Sequence, residues 1–343
     1  MPSDIASWTA EDLYDYEPSL AAAATAVALF GLGGIAVCVL TLLRRYRYVH
    51  LVTATAVLEA VGYAAMVVCV KRSSRGSIFL PFIVQQMLAL LSPNVIQAAM
   101  YVTLGWVLRF SPELAASRRW LQGRKVSVGF VLADVLSLVV QAGGMGIYAT
   151  SLMSDTMDPG TVRLGCGVTL AGLAMQLAFF AVFTWLAVWT HRHPLNGLAG
   201  RRETPRLFAG LYLAMAFLSI RNIFRFVEFA QQTVLGFYAP DAYVIAHQQG
   251  LLFGLDALPI LLCVATYALL HPGWLLPAGS PQQVAASEAA GAGEAAEAGK
   301  AAAAGGVMVA VDTQAISMEK PVSSRQAPSS WQLQVARGLP DIV

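Results

Sequence analysis

The chain alternates between long stretches without charge and short clusters of charged residues. Seven stretches are long and apolar enough to cross a bilayer, approximately Leu20 to Leu43, Leu51 to Val70, Ile78 to Leu108, Val126 to Ala149, Leu164 to Thr190, Leu207 to Phe229 and Leu251 to Leu270. A hydrocarbon core about 30 Å thick is spanned by roughly 20 helical residues. In lipid, backbone groups must bond within their own segment, which for runs of this length means helix. The pattern predicts an all-α integral membrane protein with seven transmembrane helices. The third run exceeds one straight span, and its Pro81 and Pro93 predict a kink or first turns lying outside the membrane.

Composition agrees. Of 343 residues, 57% are hydrophobic and 12% charged, with a mean hydropathy of +0.61, against about 25% charged in soluble domains. The residues before the first run carry Asp4, Glu11, Asp12, Asp15 and Glu17 and no Lys or Arg. A signal peptide would start basic, so the first run is expected to remain as a span. With the N-terminus outside, the first, third and fifth connections hold twelve Lys and Arg, against Lys71, Arg72, Arg75 and Arg163 in the opposite ones. Basic residues concentrate on the cytoplasmic side, which predicts the N-terminus outside and the C-terminus cytoplasmic. After His271-Pro272-Gly273 the chain becomes an Ala/Gly/Glu tract that continues polar to Val343. Three regions result: a short acidic extracellular N-terminus (1–19), a seven-helix transmembrane domain (20–270) and a disordered cytoplasmic tail (271–343). The net charge of +2 points to no nucleic-acid partner.

Four cysteines, Cys38, Cys69, Cys166 and Cys263, lie in or at the ends of runs, where thiols ordinarily pack as small apolar groups. Cys69 and Cys166 both fall toward the outer face, a placement open to a disulfide. The five histidines lie near span ends or in loops, and no phosphate-binding loop, Gly-x-Ser-x-Gly elbow or His-Glu-x-x-His helix occurs. The chain therefore offers no metal centre, no cofactor and no candidate catalytic residues, and an enzyme is not expected.

The informative residues are ionisable groups inside the runs: Glu59, Asp134, Arg221, Arg225, Glu228 and Asp256. Each is costly facing lipid and should face the bundle interior or water. Arg221, Arg225 and Glu228 share one stripe of the sixth helix. At 1.5 Å per residue, Arg221 and Asp256 each lie about 21 Å above the cytoplasmic ends of their helices, so they are expected to pair. Glu59 and Asp134 lie near mid-depth with no obvious partner. Two readings stay open for them: proton-coupled groups, or members of a structural polar core. Gln141 stands beside Gly143-Gly144-Met145-Gly146, and Pro259 beyond Asp256 predicts a hinge or a fixed kink.

These residues carry a resemblance to the fungal lipid-translocating exporters, the RTA-like proteins. It runs from Tyr16-Glu17-Pro18-Ser19-Leu20 to His271-Pro272-Gly273 and includes Glu59-Ala60-Val61-Gly62-Tyr63, Ser92-Pro93, Asp134 and Gln141-Ala142-Gly143-Gly144. Its strongest part is Arg221 to Phe229 with Asp256-Ala257-Leu258-Pro259. Two positions depart: Trp106 replaces a usual basic residue and Gln248 a usual acidic one. The resemblance implies a multi-pass plasma-membrane protein that moves, or protects against, lipid-like amphiphiles such as sphingoid bases and toxic drugs. Its partners would be the bilayer and that substrate, whose headgroup passes Glu59, Asp134, Glu228 and Asp256, with Gln141, Arg221 and Arg225 beside the route. A heptahelical lipid or stress sensor without transport is the alternative, and oligomeric state is not legible.

Overall fold

The computed structural model describes residues 9–14, 16–43, 47–72, 75–111, 113–114, 121–153, 158–196, 198, 200–235 and 249–276. Asp4 and Asp15, the basic residues Arg44, Arg45, Arg118 and Arg119, Gln248, and the expected tail from residue 277 onward lie outside the described residues. A short helix α1 (Ala10–Tyr14) precedes α2 (Leu20–Leu42), α3 (His50–Lys71), α4 (Arg75–Arg109), α5 (Gly123–Met153), α6 (Pro159–Arg192) and α7 (Thr204–Leu235). The eighth, α8, is composite: Gln249–Leu252, a π-helical turn at Phe253–Ala257, then Leu258–Leu269, and a last short helix α9 covers Pro272–Leu275. Seven of these are long and apolar enough to cross a membrane.

Neighbours in sequence are neighbours in space, and α8 closes back onto α2, so the seven spans form a ring. Helices α4 and α7 are the most enclosed, while α2 and α5 present rows of apolar side chains outward, among them Leu32, Ile35, Leu132 and Val139. A helix apolar on all sides suits a span with lipid on one face and protein on the other.

Helix starts follow local chemistry. The Ser19 Oγ accepts from the Ala22 N–H at 3.3 Å to cap α2. Asp158 caps α6, accepting from the Thr161 hydroxyl at 2.6 Å and from the Gly160 and Thr161 amides at 3.1 Å, with Pro159 in the first turn. Those bonds hold its carboxyl below the usual carboxylate range. The stabilisation they supply is complete at neutral pH and lost as pH falls through that lowered value.

Helix α4 runs as one continuous helix through both Pro81 and Pro93. The structure corrects two expectations. Cys69 and Cys166 form no disulfide; both are buried in one apolar cluster, with the Cys69 thiol directed at the Ile78 carbonyl at 3.5 Å. The described part of the N-terminal segment also packs on the bundle. Leu13 and Tyr14 are buried in that same cluster, and Tyr14 meets the edge of Phe82 with ring centroids 5.1 Å apart. Finally, residues 271–276 belong to the bundle: His271 is buried, its Nε2 lies 3.2 Å from the Thr41 hydroxyl, and Leu276 is buried too.

The seam between α5 and α6 brings two helix backbones into close approach. A Cβ on Gly144 would stand 2.4 Å from the Thr169 backbone nitrogen, and one on Gly165 would stand 2.7 Å from that of Tyr148. Lipid supplies no hydrophobic drive for helices to associate, so van der Waals contact through small residues takes its place. Gly143, one residue away, faces outward with nothing within 4 Å of its would-be Cβ. Gly144→Ala is therefore expected to lower stability by about 1–3 kcal/mol through overpacking, while Gly143→Ala leaves it nearly unchanged. Thermal unfolding of the two purified variants in detergent checks the difference.

A buried charge cluster as the candidate functional site

Arg221 and Arg225, on the inward stripe of α7, are 0% and 1% exposed, and they are the largest fully buried side chains in the bundle. An isolated ion in a low-dielectric interior costs several kcal/mol, so partners must converge on it. Asp256 supplies most of them. Arg225 meets it as a two-pronged fork, Nε donating to Oδ1 at 2.8 Å and Nη2 donating to Oδ2, and its Nη1 donates to Glu228 Oε2 at 3.0 Å. Such forks are the strong form of carboxylate pairing. Arg221 Nε stands 2.9 Å from Asp256 Oδ1 in an ion-pair contact. The expected Arg221–Asp256 pair is thus present, with Asp256 shared between both arginines.

Backbone irregularities place these groups. Pro259 has no N–H to offer the Leu255 carbonyl, and the turn before it widens: the Leu258 N–H bonds back to Phe253, five residues away. The widened turn carries Asp256. In α4, Pro93 likewise withholds the donor that the Ala89 carbonyl would receive in a regular helix. Arg221 Nη2 donates to that carbonyl instead. One unpaired backbone acceptor and one buried cation thereby satisfy each other across two helices.

The remaining expected site residues divide into separate groups. Glu59 of α3 accepts from the Ser92 hydroxyl of α4 and lies within electrostatic reach of Asp256, Arg221 and Arg225. It therefore belongs to the cluster, with a partner that sequence reading had not supplied. Asp134 of α5 accepts from the Tyr101 hydroxyl at 2.8 Å and sits among aromatic rings, Tyr101 lying 4.6 Å from Phe183 between centroids. Among the described residues, no arginine pairs with it. Gln141 donates to Gln176, and Gln176 to Gln97, each at 2.8 Å, forming an amide chain across α5, α6 and α4. Neither Asp134 nor Gln141 joins the arginines.

Tyr16 and Tyr63 stand in segments that carry the resemblance, but sequence reading did not place them in the site. Tyr63 lies close to Glu59 and Asp256. Tyr16, ahead of α2, comes near Glu228, Arg225 and Asp256; burial pushes its hydroxyl well above the usual tyrosine value, and the Glu228 carboxylate adds to the shift. No period marks either residue: Tyr63 sits in an apolar run like any other large side chain, and Tyr16 precedes the first run. The Ala89 acceptor, four residues before Pro93, was likewise not singled out.

In charge terms three carboxylates, Glu59, Glu228 and Asp256, face two guanidinium groups. Arg221 Nη1 and both amide atoms of Asn222 are buried without a protein hydrogen-bond partner. The arrangement can hold one further positive group among its acids and can donate hydrogen bonds from Arg221. Removing one partner of a buried pair leaves an uncompensated charge, so Asp256→Asn is expected to cost about 3–5 kcal/mol. Glu228→Gln should cost less, because Glu228 keeps 11% of its side chain exposed and Arg225 keeps Asp256. Thermal unfolding in detergent, comparing the two variants with wild type, tests the order.

The profile of the family described as "RTA1 like protein" matches residues 52–279, a segment that contains Glu59, Ser92, Arg221, Arg225, Glu228 and Asp256. The chain is 29% identical to protoporphyrin uptake protein 1 of Saccharomyces cerevisiae over 217 residues, covering 62% of this chain and 65% of that protein. It is 25% identical to the probable lipid transporter atnI of Emericella nidulans over 279 residues, covering 77% of this chain and 68% of that protein. Against protein RTA1 of Saccharomyces cerevisiae it is 28% identical over 293 residues, covering 76% of this chain and 85% of that protein. The chain spans just under two thirds of the first of these relatives. No solved structure matches. With the profile covering most of the seven-span bundle and its charge cluster, the chain belongs to the RTA1-like family of membrane proteins.

Proposed function

We propose that this protein translocates lipid-like amphiphiles across the plasma membrane, with an amine-bearing single-chain lipid such as a sphingoid base as substrate. The observation that carries the reading is the buried cluster in which three acids face two arginines. The substrate's ammonium group supplies the balancing charge as it passes. The relative named a probable lipid transporter and another named a lipid-translocating exporter-like protein lend support. Resistance to toxic amphiphiles follows from the same activity when the substrate is a drug. The basic asymmetry of the connections sets the N-terminus outside and the C-terminus in the cytoplasm, and Tyr16 and Tyr14 then cover the outer end of the charged route. Glu59, held by Ser92 rather than by an arginine, is the acid free to exchange a proton when no substrate is bound. Asp134 and Gln141 serve as supports away from the route.

The test is leaflet exchange of a fluorescent sphingoid base in liposomes containing the purified protein. Wild type is expected to accelerate exchange, Arg221→Ala, Glu228→Gln and Asp256→Asn to abolish it while still unfolding cooperatively, and Glu59→Gln to make it insensitive to an imposed pH gradient. Absence of exchange by wild type, for cationic, zwitterionic and anionic amphiphiles and with a gradient imposed, overturns translocation and leaves a sensor built on the same bundle.

A further inference from the structure

Between α2 and α3 the membrane-facing surface opens into an elongated apolar groove of about 550 Å³, within the ~300–1,000 Å³ range of cavities that hold small ligands. It follows α2 from Val27 to Cys38, about 17 Å along the axis, opposite Thr53 to Ala64 of α3. Small residues make the room: a Cβ on Gly31 would meet nothing within 4 Å. Ile35 on one lip and Val57 on the other are more than half exposed, so the groove opens into hydrocarbon at span depth.

Its inner wall is Phe30, which lies flat on Tyr63 with ring centroids 5.9 Å apart and planes 7° from parallel. Tyr63 in turn stacks on Phe253, at 5.5 Å, and Phe253 opens the π turn that carries Asp256. Tyr63 is also close to Glu59. A file of three rings is therefore what separates the groove from the buried acids.

We propose that this groove seats the single hydrocarbon chain of an amphiphile whose headgroup passes the Phe30–Tyr63 wall into the charge cluster, so that substrate enters sideways from the bilayer. The inference rests on the translocator reading and deepens it by locating the tail. The surroundings dictate the occupant's chemistry, since a concavity at span depth meets acyl chains and no water. A helix of a second copy would lay only its side chains into such a groove, and cross-linking through Cys38 tells that occupant apart. An alkyl chain gains little by leaving lipid for an apolar groove. The groove therefore positions the chain, and the acids behind the rings select the head.

The test uses octadecylamine carrying a mid-chain diazirine, with diazirine-labelled octadecane as the headless comparison, in liposomes containing the full-length protein. After irradiation, adducts are mapped by mass spectrometry. The amine probe is expected to concentrate on residues 27–38 and 53–64 relative to the headless probe. Gly31→Leu should abolish that enrichment. Gly129→Leu, on lipid-facing α5 where a Cβ likewise meets nothing within 4 Å, should leave it intact. Equal labelling of α5 and the groove, or enrichment that survives Gly31→Leu, overturns the proposal. So does a copper-phenanthroline dimer linked through Cys38, which would show a second copy there. Enriched labelling without leaflet exchange keeps the groove and sinks translocation. Exchange without enriched labelling sinks the groove alone.

Discussion

Two guanidinium groups inside a membrane bundle constrain everything packed around them. Their desolvation cost is met only by partners in good geometry, and those partners come from three other helices. Asp256 on α8 is shared by both arginines, Ala89 on α4 gives its carbonyl to Arg221, and Glu59 on α3 stands within reach behind Ser92. Rotating α7 by even a quarter turn would strand a cation against apolar side chains. The cluster therefore sets the rotation of α7 and the depth of α8, and two prolines make it feasible by loosening the helical ladders where acceptor and acid are needed.

The rest of the ring divides into a tight side and an open side. Between α5 and α6, Gly144 and Gly165 bring backbones together, and the amide chain from Gln97 through Gln176 to Gln141 crosses the same region. Such amide chains and small-residue contacts are how helices hold together where hydrophobic drive is absent. Between α2 and α3, Gly31 does the opposite and leaves space instead of closing it. Glycine thus serves closure on one side and access on the other, according to whether its missing side chain faces a neighbouring backbone or the lipid. The aromatic file Phe30, Tyr63 and Phe253 lies between that open side and the charges.

The number of spans, their approximate ends and the list of buried ionisable residues were all legible from the amino-acid sequence. A bilayer core of fixed thickness demands apolar runs of matching length, and any charge within one is conspicuous. Helical spacing also put Arg221, Arg225 and Glu228 on one stripe, and counting residues from the helix ends brought Arg221 level with Asp256. What the chain alone left open was which side chains meet. Only the tertiary structure paired Glu59 with Ser92 and Asp134 with Tyr101, separated Asp134 and Gln141 from the arginines, left Cys69 and Cys166 without a disulfide, and drew Leu13, Tyr14 and His271 into the bundle. The reason is the solvent. In water a helix shows its inner face by the period of its apolar residues, but in lipid every face is apolar, so the rotation of each span is set by contacts with its neighbours.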